Sequence, residues 1–323
     1  MINSVRNTVM AIANKNNYGY ISPQDFNLYC LQAQMDIFED YFYQYNNWIN
    51  RENARTSGTG YADIIKNLEE VIDTFSATAY LAQTTPGLNN QYNLPADYYL
   101  INKVFYYPTL KASGTNTFTG PVNPRIIEDA NAAFESSVVV GDLVTDTADN
   151  QSAYITQINS NTQVTISEAI IANGDTYSIY DQYNITEVER VNQNKIFYLT
   201  SSNLTAPTTQ YPAYVLGGAS SNTATGVLGN TISVYPTTII QGGAIQVQYI
   251  RYPLAPNWTY LTTSGQDPIY NPGAADFQNF ELPASDEPNL VAKICQYIGI
   301  EIREDAVYKF GQTEELTDTQ ETS

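Results

Sequence analysis

The chain has 323 residues, 43% of them hydrophobic, enough for one large core or two to three smaller ones. Thirty-three acidic against fourteen basic side chains give a formal charge of −19, spread as −4 over residues 1–76, −8 over 77–280 and −7 over 281–323. That balance repels phosphate backbones and anionic lipid, so it argues against a nucleic-acid grip while leaving room for a wall past which DNA slides.

Residues 2–14 place Ile2, Val5, Val9 and Ile12 at helical spacing, and Asn16-Asn17-Tyr18-Gly19 then stops the pattern. Ser22-Pro23-Gln24-Asp25 is a strong helix start: Ser22 caps, Pro23 fits the first helical position, and Asp25 sits in the electropositive first turn. From Phe26 the residues Leu31, Met35, Phe38, Phe42, Tyr45 and Ile49 recur at threes and fours, which predicts one long helix to about Glu52. A third helix follows Thr56-Ser57-Gly58-Thr59-Gly60, with Ile64, Ile65, Leu68, Val71, Ile72 and Phe75 on its buried side.

Around residue 80 the period changes, and Pro, Gly, Thr and Asn punctuate short β-branched and aromatic runs. The clearest block is 138–181, where strand-like runs are separated by Asn159-Ser160-Asn161 and Asn173-Gly174-Asp175; four short strands with tight turns predict a small barrel or sandwich. In Ile245-Gln246-Val247-Gln248-Tyr249 apolar residues share one face and glutamines the other, the pattern of a half-buried strand. Pro253, Pro256, Pro268, Pro272 and Pro283 then predict an extended arm packed on the surface. Ser285 can cap a last helix through Leu290, Val291, Ile294 and Ile298, with Gly299 placed to end it. A shorter helix from about Arg303 to Phe310 follows, and then an acidic tail without the apolar content to fold alone.

The whole reads as α+β: a helical bundle over 1–80, a β-rich region over 81–252 with the 138–181 block inside it, a Pro-rich arm over 253–283, helices over 284–310 that pack with the N-terminal bundle, and a flexible tail over 311–323. The first residues carry no charged-then-apolar leader, and no window reaches the ~18 uninterrupted apolar residues of a membrane span. The expected location is therefore the cytoplasm or a particle, with no membrane partner. Cys30 and Cys295 sit among apolar neighbours of predicted helices and read as inert buried thiols.

Chemistry finds little to stand on. Histidine is absent, which removes the commonest general base and metal ligand at neutral pH and any Ser-His-Asp or Cys-His arrangement. No G-x-x-x-x-G-K-[ST] loop exists, and Gly217-Gly218-Ala219-Ser220-Ser221 lacks the helix that a phosphate cradle needs. Asp146, Asp149 and Asn150 lack the order and distal glutamate of a calcium loop. Paired carboxylates are the one catalytic apparatus this composition permits, and Glu187 with Glu189 share one face of a predicted strand where both can simply meet solvent. The expectation is a non-enzyme with no cofactor, no metal and no catalytic residue.

The 27 tyrosines, the many Asn, Thr and Gln, and only 15% charged residues suit wide, hydrogen-bonding interfaces. The aromatic stripe of the long helix (Tyr29, Phe38, Tyr41, Phe42, Tyr45, Trp48) is wider than one seam, so it reads both as core and as a surface for the next subunit. Phe38, Tyr41 and Tyr45, with Trp258 on the arm, are the expected interface residues.

Two stretches resemble proteins of short-tailed, podovirus-like phages, crAss-like phages above all: SVRNTVMAIANKNNYGYISPQDFNLYCLQAQMDIFEDYF over 4–42, and DFQNFELPASDEPNLVAKICQYIGIEIREDA over 276–306. Together they cover about a fifth of the chain, at its two ends. The resemblance implies a virion structural protein of the head-to-tail connector or tail. It would form a homo-oligomeric ring of about twelve copies, assembled in the host bacterial cytoplasm. The ring would join the portal to neighbouring tail proteins, with DNA passing through it. A receptor- or glycan-binding tail appendage, a capsid decoration or internal protein, and an envelope hydrolase stay open as other readings.

Overall fold

The computed structural model describes residues 1–13, 21–54, 62–84, 90–119, 125–147, 151–217, 231–262, 268–301, 309 and 312–313. Helices α1 (Ile2–Ala13), α2 (Pro23–Ala54) and α3 (Ala62–Asp73) come first. Strands β1 (Ser76–Tyr80), β2 (Gln91–Asn93), β3 (Tyr98–Tyr106), β4 (Leu110–Thr115) and β5 (Ile126–Glu128) lead to a short turn of helix, α4 (Phe134–Ser137). β6 (Leu143–Asp146), β7 (Ser152–Ser160), β8 (Gln163–Ile166), β9 (Thr176–Tyr180) and β10 (Thr186–Arg190) precede α5 (Gln193–Thr200). β11 (Ala213–Gly217), β12 (Thr231–Tyr235), β13 (Ile245–Arg251), β14 (Tyr260–Thr262), β15 (Pro268–Tyr270) and α6 (Glu287–Glu301) complete the order. The protein is mixed α+β, and it folds as two units: residues 1–75 with 252–323, and residues 76–251.

In the first unit the sequence signals act locally as read. Ile2, Val5 and Val9 are buried on one side of α1. Ser22 accepts a hydrogen bond from the Asp25 amide at 3.1 Å and donates to the Asp25 carboxylate, so both partners secure the start of α2. Phe38 meets Phe42 and Phe75 edge to face, at 5.1 Å in each case, beneath Tyr252 at 6.2 Å. Helix α6 packs on α1 and α2. It starts from a 3-10 turn over Ala284–Asp286 and runs past Gly299 to Glu301, so that glycine does not end it as the sequence suggested.

The segment read as a surface arm keeps an exposed side, with Leu254, Leu261 and Ile269 outward, and is anchored by a few buried residues, Pro253, Pro256, Trp258, Phe280 and Leu282. Trp258 is almost fully buried and stacks on Tyr260 at 5.7 Å and Tyr270 at 5.9 Å, the paired aromatics of the β14–β15 hairpin, with the Arg6 guanidinium 3.9 Å from its ring centre. Side chains of α2 hold the arm in place. The Asn27 amide accepts from Trp258 N at 2.9 Å and donates to its carbonyl at 3.2 Å. Seven residues on, buried Gln34 donates to the Leu254 carbonyl at 2.8 Å and accepts from the Glu281 amide at 3.2 Å. Seven further, the Tyr41 hydroxyl donates to Asp286. Prolines strip the arm of regular ladders, and a heptad row of polar side chains supplies the missing partners.

The second unit holds two sheets. Seven strands run in the order β1-β13-β3-β10-β11-β12-β2, and six in the order β4-β9-β6-β7-β8-β5. Residues 76–80, read as the end of the bundle, pair along their length with β13, from Ser76↔Ile250 to Tyr80↔Gln246, where Thr78 and Tyr80 are residue types that favour strands. In β13 the residues Ile245, Val247 and Tyr249 are buried while Gln246 and Gln248 lie half-buried on the other face. The strands foreseen inside 138–181 are joined by β4 and β5, and the sheet's two edges meet where Thr117 N donates to the Glu128 carbonyl at 2.7 Å. Asn116, buried, clasps this seam by accepting from Glu128 N at 3.0 Å and donating to the Ala172 carbonyl at 3.2 Å.

Leu143 and Tyr180 of the six-stranded sheet belong to the apolar core of the seven-stranded one, and the Tyr180 hydroxyl donates to the Gly242 carbonyl at 2.8 Å. Gly243 sits beside this joint at φ +75°, where a Cβ would lie 2.4 Å from Thr145 Oγ1. Only glycine meets both demands.

Two outcomes are expected in urea unfolding. Gln34→Met leaves the Leu254 carbonyl and the Glu281 amide unpartnered and lowers stability by about 2–4 kcal/mol; a loss below about 1 kcal/mol would show that the clamp is dispensable. Gly243→Ala costs about 1–3 kcal/mol, whereas Gly242→Ala, with open space around it, stays within about 0.5 kcal/mol.

Candidate interaction surfaces

The four residues expected at an interface fare differently. Phe38 and Trp258 are enclosed by their own chain, and Tyr41 is buried with its hydroxyl on Asp286. These three are corrected to core positions: Phe38 lies against Phe42, Phe75 and Tyr252, Trp258 lies against Tyr260, Tyr270 and Arg6, and Tyr41 is 8% exposed, which leaves little for a neighbour to bury. Burial, then the bond and the negative charge of Asp286, push the Tyr41 hydroxyl's pKa well up, so it stays a donor. Tyr45 is half-buried and donates to Glu69 of α3 at 2.9 Å, which ties α2 to α3. Tyr29 stacks on Tyr297 of α6 at 6.1 Å, and the Trp48 side chain lies outside the described residues.

The candidates for chemistry are also placed. Glu187 is exposed and paired with Lys103 at 3.3 Å across β10 and β3; Glu189 is exposed beside it, over a hollow of about 350 Å³ shared with Asn102, Arg190 and Tyr214. The hollow is open and bordered by both signs of charge, a surface for polar contact. Asp146 is buried in β6, while Asp149 and Asn150 lie outside the described residues, as do 218–221 of the glycine-serine run. Among the described residues no group of three or more His, Cys, Asp or Glu side chains could hold a metal ion, and no helix is long and apolar enough to cross a membrane.

Two of the buried carboxylates, Asp129 and Asp142, organise turns by accepting from Asn131 N and Val139 N. Asp142, fully buried, is held by Lys111 at 2.8 Å and accepts from Val139 N at 2.7 Å, fixing the turn that presents Val139 and Val140 to solvent. Desolvation alone would lower the Lys111 pKa, but the hydrogen bond and attraction of Asp142, with Asp181 at 3.5 Å, outweigh it and the net shift is upward.

What sequence reasoning passed over is the exposed apolar surface. On α2 the outward stripe runs Leu28, Gln32, Met35, Glu39, Tyr43, with Leu28 61% and Tyr43 67% exposed. In the second unit Phe197, Tyr198, Leu204 and Tyr211 are 78% to 94% exposed, four of the five most exposed large apolar side chains among the described residues. All four lie in the connection from β10 to β11, which form the one parallel pair of a sheet otherwise antiparallel. A parallel pair needs a crossover of a dozen or more residues, and α5 supplies its helix. The signal was present in Ile196-Phe197-Tyr198: at 100° per residue a short helix cannot bury three consecutive large side chains on one face. Ile196 goes inward and the other two go out.

No family model matches the chain, and no curated protein matches it in sequence.

Cys30 and Cys295 are buried and unbridged, and burial pushes both thiols up, that of Cys295 to about 12. Neither is expected to react with a thiol reagent at pH 8 while the protein is folded, and both should react on unfolding; rapid labelling of the native protein would contradict this packing.

Proposed function

We propose that this chain is a non-enzymatic virion structural protein that forms an oligomeric ring in the head-to-tail connector of a short-tailed phage. In this reading it joins the portal to neighbouring tail proteins at the portal vertex. The resemblance of residues 4–42 and 276–306 to such proteins is the starting point. The observation that carries the reading is that two separate parts of the chain expose large apolar side chains. One is the outward stripe of α2 with Leu28 and Tyr43, and the other is the crossover with Phe197, Tyr198, Leu204 and Tyr211.

A ring closes through head-to-tail contacts, so each subunit must carry two different, matching faces. The crossover's four exposed large apolar side chains mark a candidate contact face. The two stretches that carry the resemblance also fold together, α6 packing on α1 and α2, which gives a connector wall a helical unit built from both chain ends. Net acid on an inner wall would keep passing DNA from being held.

A second reading, a receptor- or glycan-binding tail appendage, is favoured by the same crossover: its aromatics stand among Asn192, Gln193, Asn194, Ser201, Ser202, Asn203 and Thr205, hydroxyl and amide chemistry suited to sugars. Native mass separates the two. Light scattering of the protein alone, and mixed with the portal and other connector proteins of its phage, is expected to give a complex of about a dozen copies. A stable free trimer indifferent to those partners would favour the appendage.

A further inference from the structure

The crossover of the second unit is an ordered knuckle, not a loose loop. Ile196 is anchored in the core, Thr200 Oγ1 caps back to the Ile196 carbonyl at 2.9 Å, Thr205 Oγ1 donates to the Leu199 carbonyl at 3.1 Å, and Tyr211 N donates to the Thr208 carbonyl at 3.1 Å. The conformational cost of presenting Phe197, Tyr198, Leu204 and Tyr211 is therefore met within the fold, before any partner arrives. Its three aromatics alone can bury about 450–750 Å², against the roughly 800 Å² each partner contributes to a stable interface.

Charge selects the occupant. Residues 191–250 contain one charged side chain, Lys195, which is exposed on α5, in a chain of net charge −19. The first unit carries 21 acids against 8 bases, and α2 exposes Glu39 and Asp40 beside Tyr43. Two knuckles facing each other would oppose Lys195 to Lys195, and two α2 stripes would oppose acid to acid. Knuckle against stripe sets Lys195 toward Glu39 and Asp40 and covers apolar side chains on both sides.

We infer that the β10–β11 knuckle of one copy docks on the outward α2 stripe of a second copy of this chain, Phe197, Tyr198 and Tyr211 against Leu28 and Tyr43. The inference deepens the ring reading and rests on it for closure of the series. The contact is heterologous, so it repeats from copy to copy. It moves the subunit interface away from Phe38, Tyr41 and Trp258, which the fold keeps for itself.

The test uses two full-length surface variants, F197S/Y198S/Y211S and L28S/Y43S, with circular dichroism and urea midpoints to show that each folds as the wild type does. Sedimentation is followed up to ~1 mM, where even a millimolar Kd is detected. The wild type is expected to associate, and each variant alone to associate at least tenfold more weakly. Their equimolar mixture is expected to form dimers of one of each kind and nothing larger, because each retains the face the other has lost. A stripe variant that assembles like the wild type, or a mixture that stays monomeric, would overturn the inference. So would a wild type that is monomeric at ~1 mM, although assembly on the portal would then still stand. Conversely, head-to-tail association that survives while the portal mixture shows no complex would remove the connector reading and keep this one.

Discussion

Gln34 gives its one side-chain amide to two separate stretches of returning chain, the Leu254 carbonyl and the Glu281 amide, and the Glu281 carboxylate in turn accepts from Leu254 N at 2.8 Å. These backbone groups belong to a proline-interrupted segment that cannot pair them in a regular ladder, and a backbone group left unpaired on burial costs about 1–3 kcal/mol. Placed at heptad spacing, Asn27, Gln34 and Tyr41 turn one face of α2 into a rail of hydrogen-bonding groups along which the arm is laid. Because the arm is fixed there, Trp258 is enclosed between the hairpin tyrosines and Arg6, and the chain arrives at α6 in position to pack on α1 and α2.

That arrangement decides which aromatics of α2 remain available. A helix has a limited circumference: with α3, α6 and the arm taking the faces of Phe38 and Tyr41, the stripe of Leu28 and Tyr43 is left outward. The second unit reaches a comparable result from topology. One parallel pairing, Glu189↔Ala213 and Arg190↔Tyr214, obliges the chain to leave the sheet and return, and the excursion carries four large apolar side chains that its own short helix cannot bury.

Several buried polar side chains among the described residues are paired. Asn116 clasps the two edges of the six-stranded sheet, Asp142 is met by Lys111 and a turn amide, and the Tyr177 hydroxyl donates to buried Asp129 at 2.8 Å. Such networks fix one arrangement among many of similar apolar content.

Local signals were legible in the residues themselves. The Ser22-Pro23-Gln24-Asp25 start, the periodicity of α1 and α2, the alternation of β13 and the turns around β7, β8 and β9 are short-range consequences of capping, side-chain period and turn chemistry, and they appear where the sequence places them. The pairing of Ser76–Tyr80 with β13 and the anchoring of the arm were not legible, because each depends on a partner far away in the chain: β13 for the first, Asn27 and Gln34 for the second. The same division holds for the surfaces. Composition alone determined that this chain is acidic, rich in tyrosine and without histidine; which aromatics lie inside was decided by packing, since an aromatic stripe on a helix carries no mark of whether its neighbour will be its own chain or another.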